Sequence, residues 1–291
     1  SYIPPTSSVA LPENYQDTFR AQRIAKNERL ANLFESLGYH ELSDRITKDE
    51  AVLVEQEFNA TKAWVEYINR LIGVLIGFFL ILNMIFSFSY RKEKLSIPIV
   101  GVLLFILVGF QGWVGSLVVS TNLLHGFITF HMLLALLIVA LLIWMQVRIR
   151  DLQVVHHKKL FLLGLASSIL LIPQIIFGTE VRGVIDDLLI TTIGRDAWHE
   201  YLSGSFFIHR SYSWLILIGV IGMLYYARKT EFQWLKKGTA QLLAMVIVTM
   251  LLGIVMARIG FPVWAQPLHL IVAVGIFSML FYLTLRIKFK S

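Results

Sequence analysis

The residues with the clearest potential for chemistry are four polar side chains, each near the start of a different long apolar segment. They are Asn69, His131, His209 and His269. The first two lie 62 residues apart and the last two lie 60 residues apart, so they form two pairs of nearly equal spacing. Because polar side chains within apolar spans are costly, those that persist there are usually functional. The two pairs therefore mark the candidate site.

Composition predicts that these residues belong to a membrane protein. Of the 291 residues, 56% are hydrophobic and 15% are charged. Apolar segments long enough to cross a bilayer occur at residues 64–88, 97–119, 127–147, 160–182, 206–227, 238–258 and 267–285. Backbone groups in lipid must find partners within their own segment, so each span is expected to be a helix. We predict an all-α polytopic membrane protein with seven spans visible in this chain.

Basic residues predict the orientation of these spans. The connections after the first, third and fifth spans, and the C-terminal tail, are rich in lysine and arginine and poor in acids. By the positive-inside rule these parts are cytoplasmic. The net charge of +7 is thus a topology signal and does not indicate a nucleic-acid partner. Residues 1–63, expected to form helices at about 13–37 and 41–57, are then extracytoplasmic. A polar N-terminus on that side predicts an upstream targeting or spanning segment that this chain lacks.

The two halves of the chain resemble each other. EYINRLIG in the first span aligns with FIHRSYSW in the fifth, and a glycine precedes both His131 and His269 by sixteen residues. Equivalent spans point the same way, which predicts a parallel repeat of two pseudo-symmetric four-helix bundles, the first lacking its opening helix. We therefore divide the chain into an extracytoplasmic segment (1–63), an N-terminal bundle (64–150) and a C-terminal bundle (151–291).

Facing imidazoles at one depth of a helical bundle could hold haem. His209 and His269 would give six-coordinate iron, which suits electron transfer rather than oxygen binding. The partner of His131 by symmetry is Asn69, and an amide is a poor ligand for haem iron. One axial position there would be weak or open, as oxygen activation requires. Two simpler interpretations stay open: each histidine bonds a neighbouring helix, or the first site holds no haem.

Three charged residues lie beside the four polar ones. Glu66 precedes Asn69 by three residues, on the same helix face, and could relay protons. Its structural alternative is an ion pair with Arg70 one turn later. Arg70 and Arg210 could each bind haem propionates, or could extend to the membrane interface.

The remaining polar and small residues give weaker signals. Gly109, Gly112 and Gly115 form a stripe that predicts close helix packing, with room for a flat macrocycle as the second interpretation. His125, His156, His157 and His199 are predicted to lie in solvated loops. The sequence contains no glycine-rich dinucleotide fingerprint, so reducing equivalents are expected from a quinol or a redox protein.

Together these motifs resemble the haem A synthase family, membrane enzymes that convert haem O to haem A for cytochrome oxidases. The resemblance rests on EYINRLIG, QGWVGSLVVSTNLLHGFITFHMLLALL, FIHRSYSW and VWAQPLHLIVA. The N-terminal segment is similar to a bacterial branch with an enlarged first outer loop. The resemblance implies eight spans in two four-helix halves of a bacterial plasma membrane, and oxygen-dependent oxidation of a haem O methyl group to a formyl group.

The resemblance also implies roles for individual residues. His209 and His269 match the ligands of a resident b-type haem, His131 matches a histidine of the substrate-haem site, and Glu66 matches an acid important there. Asn69 departs from the family pattern, in which many members have histidine. Haem O synthase and oxidase assembly proteins are implied partners. Two other functions remain compatible with the residues: a dihaem b-type electron-transfer protein, and a non-catalytic haem carrier or assembly factor.

Overall fold

Seven long apolar helices make up most of the molecule. A computed structural model describes residues 3–6, 11, 14–48, 58–121, 125–188, 194–202 and 204–289. In these residues, α3 to α9 are each long and apolar enough to cross a membrane. Their bounds are α3 Ala60–Ser87, α4 Ser96–Ser120, α5 His125–Ile149, α6 Lys158–Leu188, α7 Gly204–Arg228, α8 Gln233–Arg258 and α9 Ala265–Leu285. The prediction of an all-α polytopic membrane protein is confirmed.

Local chemistry explains where two of these helices depart from the predicted spans. The side chain of Asn59 accepts a hydrogen bond from the backbone N–H of Lys62, so this cap starts α3 four residues before the predicted span. Helix α6 runs through Pro173 without interruption. It also continues past the predicted end at residue 182, where its polar last turns carry an ion pair between Arg182 and Asp186.

The last four helices form a closed bundle. Helices α6 and α7, α7 and α8, α8 and α9, and α6 and α9 are packing neighbours, so α7 and α9 occupy opposite corners. The interior is filled by aliphatic side chains, among them Leu160, Val220, Met223, Leu235 and Leu242. Burial of such apolar side chains against one another excludes lipid and fixes the relative positions of the helices.

In the first three spans, too, helices that are consecutive in the chain pack against each other. Helix α4 lies between α3 and α5, and Leu80, Ile97, Leu104, Ile138 and Met145 form their shared core. Helix α5 also packs against α6 and α9, which joins the two sets of helices. The division into bundles at residues 150 and 151 stays a prediction.

A helical hairpin precedes the spans. Helix α1 covers Tyr15–Ser36 and α2 covers His40–Lys48, with Gly38 at a positive φ of 83° in the turn between them. The first agrees with the predicted 13–37 helix. The second begins where expected, but residues 49–57 of its predicted range lie outside the described residues. The ring of Phe34 contacts that of Phe127, with centroids 6.0 Å apart, which places α1 against the first turn of α5.

At the opposite end of the molecule, contacts join the segments that connect the helices. The two-residue strands β1 (Val155–His156) and β2 (Ile287–Lys288) pair in parallel, linking the α5–α6 connection to the C-terminal segment. Lys94 donates to Asp151 at 2.8 Å, and this hydrogen bond holds the pKa of that carboxyl below its ordinary value. These contacts join the basic connections that the sequence places on one side of the membrane.

Candidate functional site

The two histidines of the C-terminal bundle face each other. His209 lies in the second turn of α7 and His269 in the second turn of α9, on opposite corners of the bundle. Their ring centroids are 6.3 Å apart and the ring planes make an angle of 56°. The predicted pairing of these two residues is therefore present in the fold.

A glutamine on α6 fixes the orientation of His209. Nδ1 of His209 lies 3.0 Å from the backbone carbonyl oxygen of Gln174, to which it donates. The side-chain Nε2 of Gln174 donates in return to the backbone oxygen of His209, also at 3.0 Å. Because Nδ1 carries the proton, Nε2 is left with a free lone pair, the form of imidazole that binds metals.

His269 has a related but looser environment. Its Nδ1 is buried and makes no hydrogen bond of ordinary geometry among the described residues, and the neighbouring backbone acceptor is Thr249 on α8. A Cβ added at Gly253, one turn after Thr249, would lie 3.8 Å from Cε1 of His269. The same arrangement recurs at His209, where a Cβ at Gly178, one turn after Gln174, would lie 3.1 Å from Cε1. Each imidazole therefore rests against a glycine of the preceding helix.

The first half repeats this pattern around His131. Gln111 on α4 donates from Nε2 to the backbone oxygen of His131 at 3.0 Å, and the same nitrogen lies 3.3 Å from the ring atom Nε2. A Cβ at Gly115, one turn later, would lie 3.1 Å from Cε1 of His131. Here the side-chain amide contacts the ring itself, which neither histidine of the second half shows.

The residues predicted on α3 are placed differently. Asn69, Glu66 and Arg70 are all exposed, and Glu66 forms an ion pair with Arg70, so the structural alternative for these two charges is present. The side chain of Asn69 makes no hydrogen bond within the described ranges, and no hydrogen bond or ion pair there joins any of the three residues to His131. Arg210 is likewise exposed. Whether these residues act on haem stays a prediction.

The histidine pair fits a haem group. Two imidazoles bound to one iron at about 2 Å each would hold their ring centroids roughly 6 Å apart, close to the spacing of His209 and His269. The lone pair on Nε2 of His209 and the glycines beside both rings are further features that such a ligand set requires. Among the described residues no group of three or more His, Cys, Asp or Glu side chains could hold a metal ion.

Some predictions about neighbouring residues were wrong. Gly109 and Gly112 do not mediate close helix packing, since a side chain at either would meet nothing within 4 Å. Gly115 does lie at a close contact between helices, since a Cβ there would be 3.1 Å from Cε1 of His131 on α5. His125 is not in a solvated loop: it is the first residue of α5, lies against Gly183, and is 3.5 Å from a carboxylate oxygen of Asp187.

Sequence reasoning also missed residues that support the histidines. The sequence patterns did not single out Gln111, Gln174 or Gly178. A signal for them exists, because glutamine or threonine followed four residues later by glycine occurs at 111, 174, 179 and 249, and three of these four occurrences lie beside His131, His209 and His269. This spacing places the polar residue and the glycine on one face of a helix, one turn apart.

The fold and the site define an all-α polytopic membrane protein with imidazoles held by the preceding helix in each half. Within that class, the chain belongs to the cytochrome oxidase assembly protein family COX15-CtaA, whose family model matches residues 39–281. Similar proteins include one from Ehrlichia canis named "Heme A synthase", 30% identical over 251 residues, which are 77% of this chain and 70% of that protein.

Two further relatives carry the same name. One from Pelagibacter ubique is 25% identical over 258 residues, covering 77% of this chain and 73% of the relative. One from a Wolbachia species of Brugia malayi is 28% identical over 239 residues, covering 70% of this chain and 68% of the relative. No solved structure matches the chain.

Proposed function

We propose that this protein is a haem A synthase, a membrane oxidoreductase that oxidises a methyl group of haem O to the formyl group of haem A. Family membership and relatives named for this activity support the proposal. The observation that carries it is the difference between the halves. Two imidazoles face each other in the second half, whereas in the first half the residue that corresponds to His209 is Asn69, an amide, so His131 has no imidazole partner at that position.

In this proposal His209 and His269 hold a resident b-type haem, with Arg210 available for a propionate. Such a group would supply one-electron transfer. The chain's part is to keep both rings in the tautomer that presents Nε2. The backbone carbonyl of Gln174 does this for His209 by accepting its Nδ1 proton. The glycines at 178 and 253 let the rings lie close to the helices behind them.

His131 would bind the substrate haem O, with the position on the side of Asn69 left accessible. The oxidation would be oxygen-dependent, since breaking an unactivated methyl C–H bond needs a strong oxidant. Glu66 would hold or transfer a proton at its carboxylate. For this, Arg70 would release the carboxylate from their ion pair; alternatively, Arg70 would bind a propionate. The chain thereby orients the macrocycle, excludes water and supplies protons, and the haem supplies the redox chemistry.

The contact between α5 and α9 supports electron transfer between the halves. These helices carry His131 and His269 near their first turns and pack directly against each other. Electrons would enter from a quinol or a redox protein at the second half and pass to the first. Haem O synthase and oxidase assembly proteins are proposed partners for delivery of substrate and removal of product.

We further propose a bacterial plasma membrane location with the N-terminal hairpin outside and the C-terminus in the cytoplasm. The basic connections joined by Lys94, Asp151 and the β1–β2 pair support this orientation. The four site helices α3, α5, α7 and α9 would then all enter from the outer face, with their polar residues near it.

Pigment analysis tests the function. The protein is expressed aerobically in cells that make haem O, and the haems extracted from the purified protein are separated by chromatography. We expect haem B together with haem O and haem A, and oxidation of added haem O when a reductant and oxygen are present. Haem B alone, without turnover, would favour a dihaem electron-transfer protein. Bound haem O that never changes would favour a carrier.

A further inference from the structure

We propose that Gln111 makes His131 an exchangeable haem ligand, because its side-chain amide competes with iron for the ring nitrogen of that histidine. This proposal rests on the proposed function, in which the first half must bind a substrate haem and release a product haem. It assigns to Gln111 a positioning role that determines how long haem stays on His131.

The hydrogen bonds of Gln111 fix the orientation of its amide. Nε2 donates to the backbone carbonyl oxygen of His131 at 3.0 Å, and a carbonyl can only accept, so the nitrogen rather than Oε1 must face His131. The same nitrogen lies 3.3 Å from Nε2 of the imidazole. An amide nitrogen can only donate, so this second contact is a hydrogen bond when the ring atom carries a lone pair. The tautomer that accepts from Gln111 is therefore the tautomer that binds iron.

The second half lacks this competitor at the equivalent position. Gln111 precedes His131 by 20 residues, and Thr249 precedes His269 by the same number. The hydroxyl of Thr249 donates to the backbone oxygen of Met245 in its own helix, at 2.9 Å, and makes no hydrogen bond to the imidazole among the described residues. In the first half, Gln111 thus occupies the ring nitrogen of His131. In the second half, Thr249 stands at the equivalent position and leaves the ring nitrogen of His269 free.

Gln174 shows that the carbonyl contact alone does not block a histidine. Its Nε2 donates to the backbone oxygen of His209 at 3.0 Å, as Gln111 does to His131, but no side-chain contact of Gln174 with the His209 ring occurs in the described residues. The ring of His209 is instead held through the backbone carbonyl of Gln174. Contact with the ring nitrogen is therefore the particular feature of Gln111.

Haem binding at His131 would exchange one interaction for another. The N–H···N hydrogen bond from Gln111 breaks and a bond from Nε2 to iron forms, while the amide keeps its hydrogen bond to the backbone carbonyl. On release the amide returns to the ring nitrogen. Because one hydrogen bond contributes about 1 kcal/mol net, its removal is expected to slow haem dissociation roughly fivefold.

The experiment measures how fast haem O leaves the purified full chain in detergent, with apomyoglobin as the haem acceptor. Gln111→Thr introduces the residue found in the second half. We expect Gln111→Thr to slow haem O transfer to apomyoglobin roughly fivefold. The matched control is Gln174→Thr, which removes an amide–carbonyl hydrogen bond without a ring contact and should leave haem O transfer unchanged. The reciprocal Thr249→Gln should speed the loss of haem B.

Haem B content reports on folding, since it depends on the second half. If Gln111→Thr loses haem B, Gln111→Met, which keeps the side-chain length, replaces it. Transfer of haem O at the wild-type rate or faster, or equal slowing by Gln174→Thr, would overturn the proposal. The assay does not need turnover. Slowed release from a chain that makes no haem A would refute the proposed function alone, and normal release from a chain that makes haem A would refute only the role of Gln111.

Discussion

The imidazole rings of His209 and His269 lie 6.3 Å apart across the C-terminal bundle, although 60 residues, including the whole of helix α8, separate them along the chain. The two rings are carried by different helices, which lie at opposite corners of the bundle. Helices α6 and α8 stand between α7 and α9 and set the gap, and a glycine on each of them accommodates one ring. The first half holds a less symmetric counterpart, in which His131 rests against Gly115 and its ring contacts Gln111.

His269→Ala should abolish binding of the resident haem. Iron held by two imidazoles gives a low-spin absorption spectrum, and loss of one ligand opens the second axial position. The measurement is the haem B content of the purified variant together with its reduced spectrum. His125→Ala is the control, because His125 contacts Gly183 and Asp187 outside the pair. A low-spin spectrum that survives in the His269 variant would refute the ligand assignment.

Gly178→Ala should weaken haem binding in the second half. The added Cβ would lie 3.1 Å from Cε1 of His209, so the ring must shift, and such overpacking costs about 1–3 kcal/mol. Haem B retention and the midpoint of thermal unfolding report the effect. Gly112→Ala is the matched control, since a Cβ there meets nothing within 4 Å. Alanine also favours the helix over glycine by up to about 1 kcal/mol. Equal behaviour of the two variants would show that the fit against His209 does not matter.

Glu66→Gln should leave the resident haem in place but reduce conversion of haem O by roughly a hundredfold, the usual contribution of a positioned acid or base. Conversion is followed by chromatography of extracted haems. Arg70→Gln separates two roles of this carboxylate, because Glu66 and Arg70 form an ion pair. If the ion pair alone matters, both variants lose activity to the same extent. A proton-transfer role predicts that the arginine variant retains much more activity.

If His131 binds haem O as proposed, with the position on the side of Asn69 accessible, Asn69→His should close that position. We expect tighter haem O retention and lower turnover, because a second strong ligand would compete with oxygen for the iron. The spectrum of bound haem O should shift toward the low-spin form. Asn69→Asp, of similar size, serves as the comparison. Turnover that is unchanged or higher in the histidine variant would mean that an open axial position is irrelevant to the reaction.

Single cysteines can test the proposed orientation, since the sequence contains none. Glu41→Cys lies on the N-terminal hairpin and Lys237→Cys near the start of α8, both exposed. In intact cells, after opening of the outer membrane, a membrane-impermeant maleimide should label position 41 and not position 237. Lysis should make both reactive. The opposite pattern would reverse the topology.

The sequence by itself determined the number and approximate positions of the spans. Hydrophobic segments in lipid have one way to satisfy their backbone, so composition and length predict helices directly. Residue type and spacing were also sufficient to select His131, His209 and His269, because polar groups in such segments are rare and costly. Errors of a few residues arose at the ends, where a cap such as Asn59 or a polar extension such as the end of α6 decides the boundary.

Only the tertiary structure decided what supports and surrounds those histidines. A hydrogen bond from Gln111 to His131, or from His209 to the backbone of Gln174, depends on the rotation of one helix about its axis relative to another. Apolar residues occur on every face of a membrane helix, so periodicity does not reveal that rotation. For the same reason the sequence could not show that His125 packs on Gly183, or that Gly109 and Gly112 face open space. These relationships are set by close contact between side chains distant in the chain, which only the packed bundle specifies.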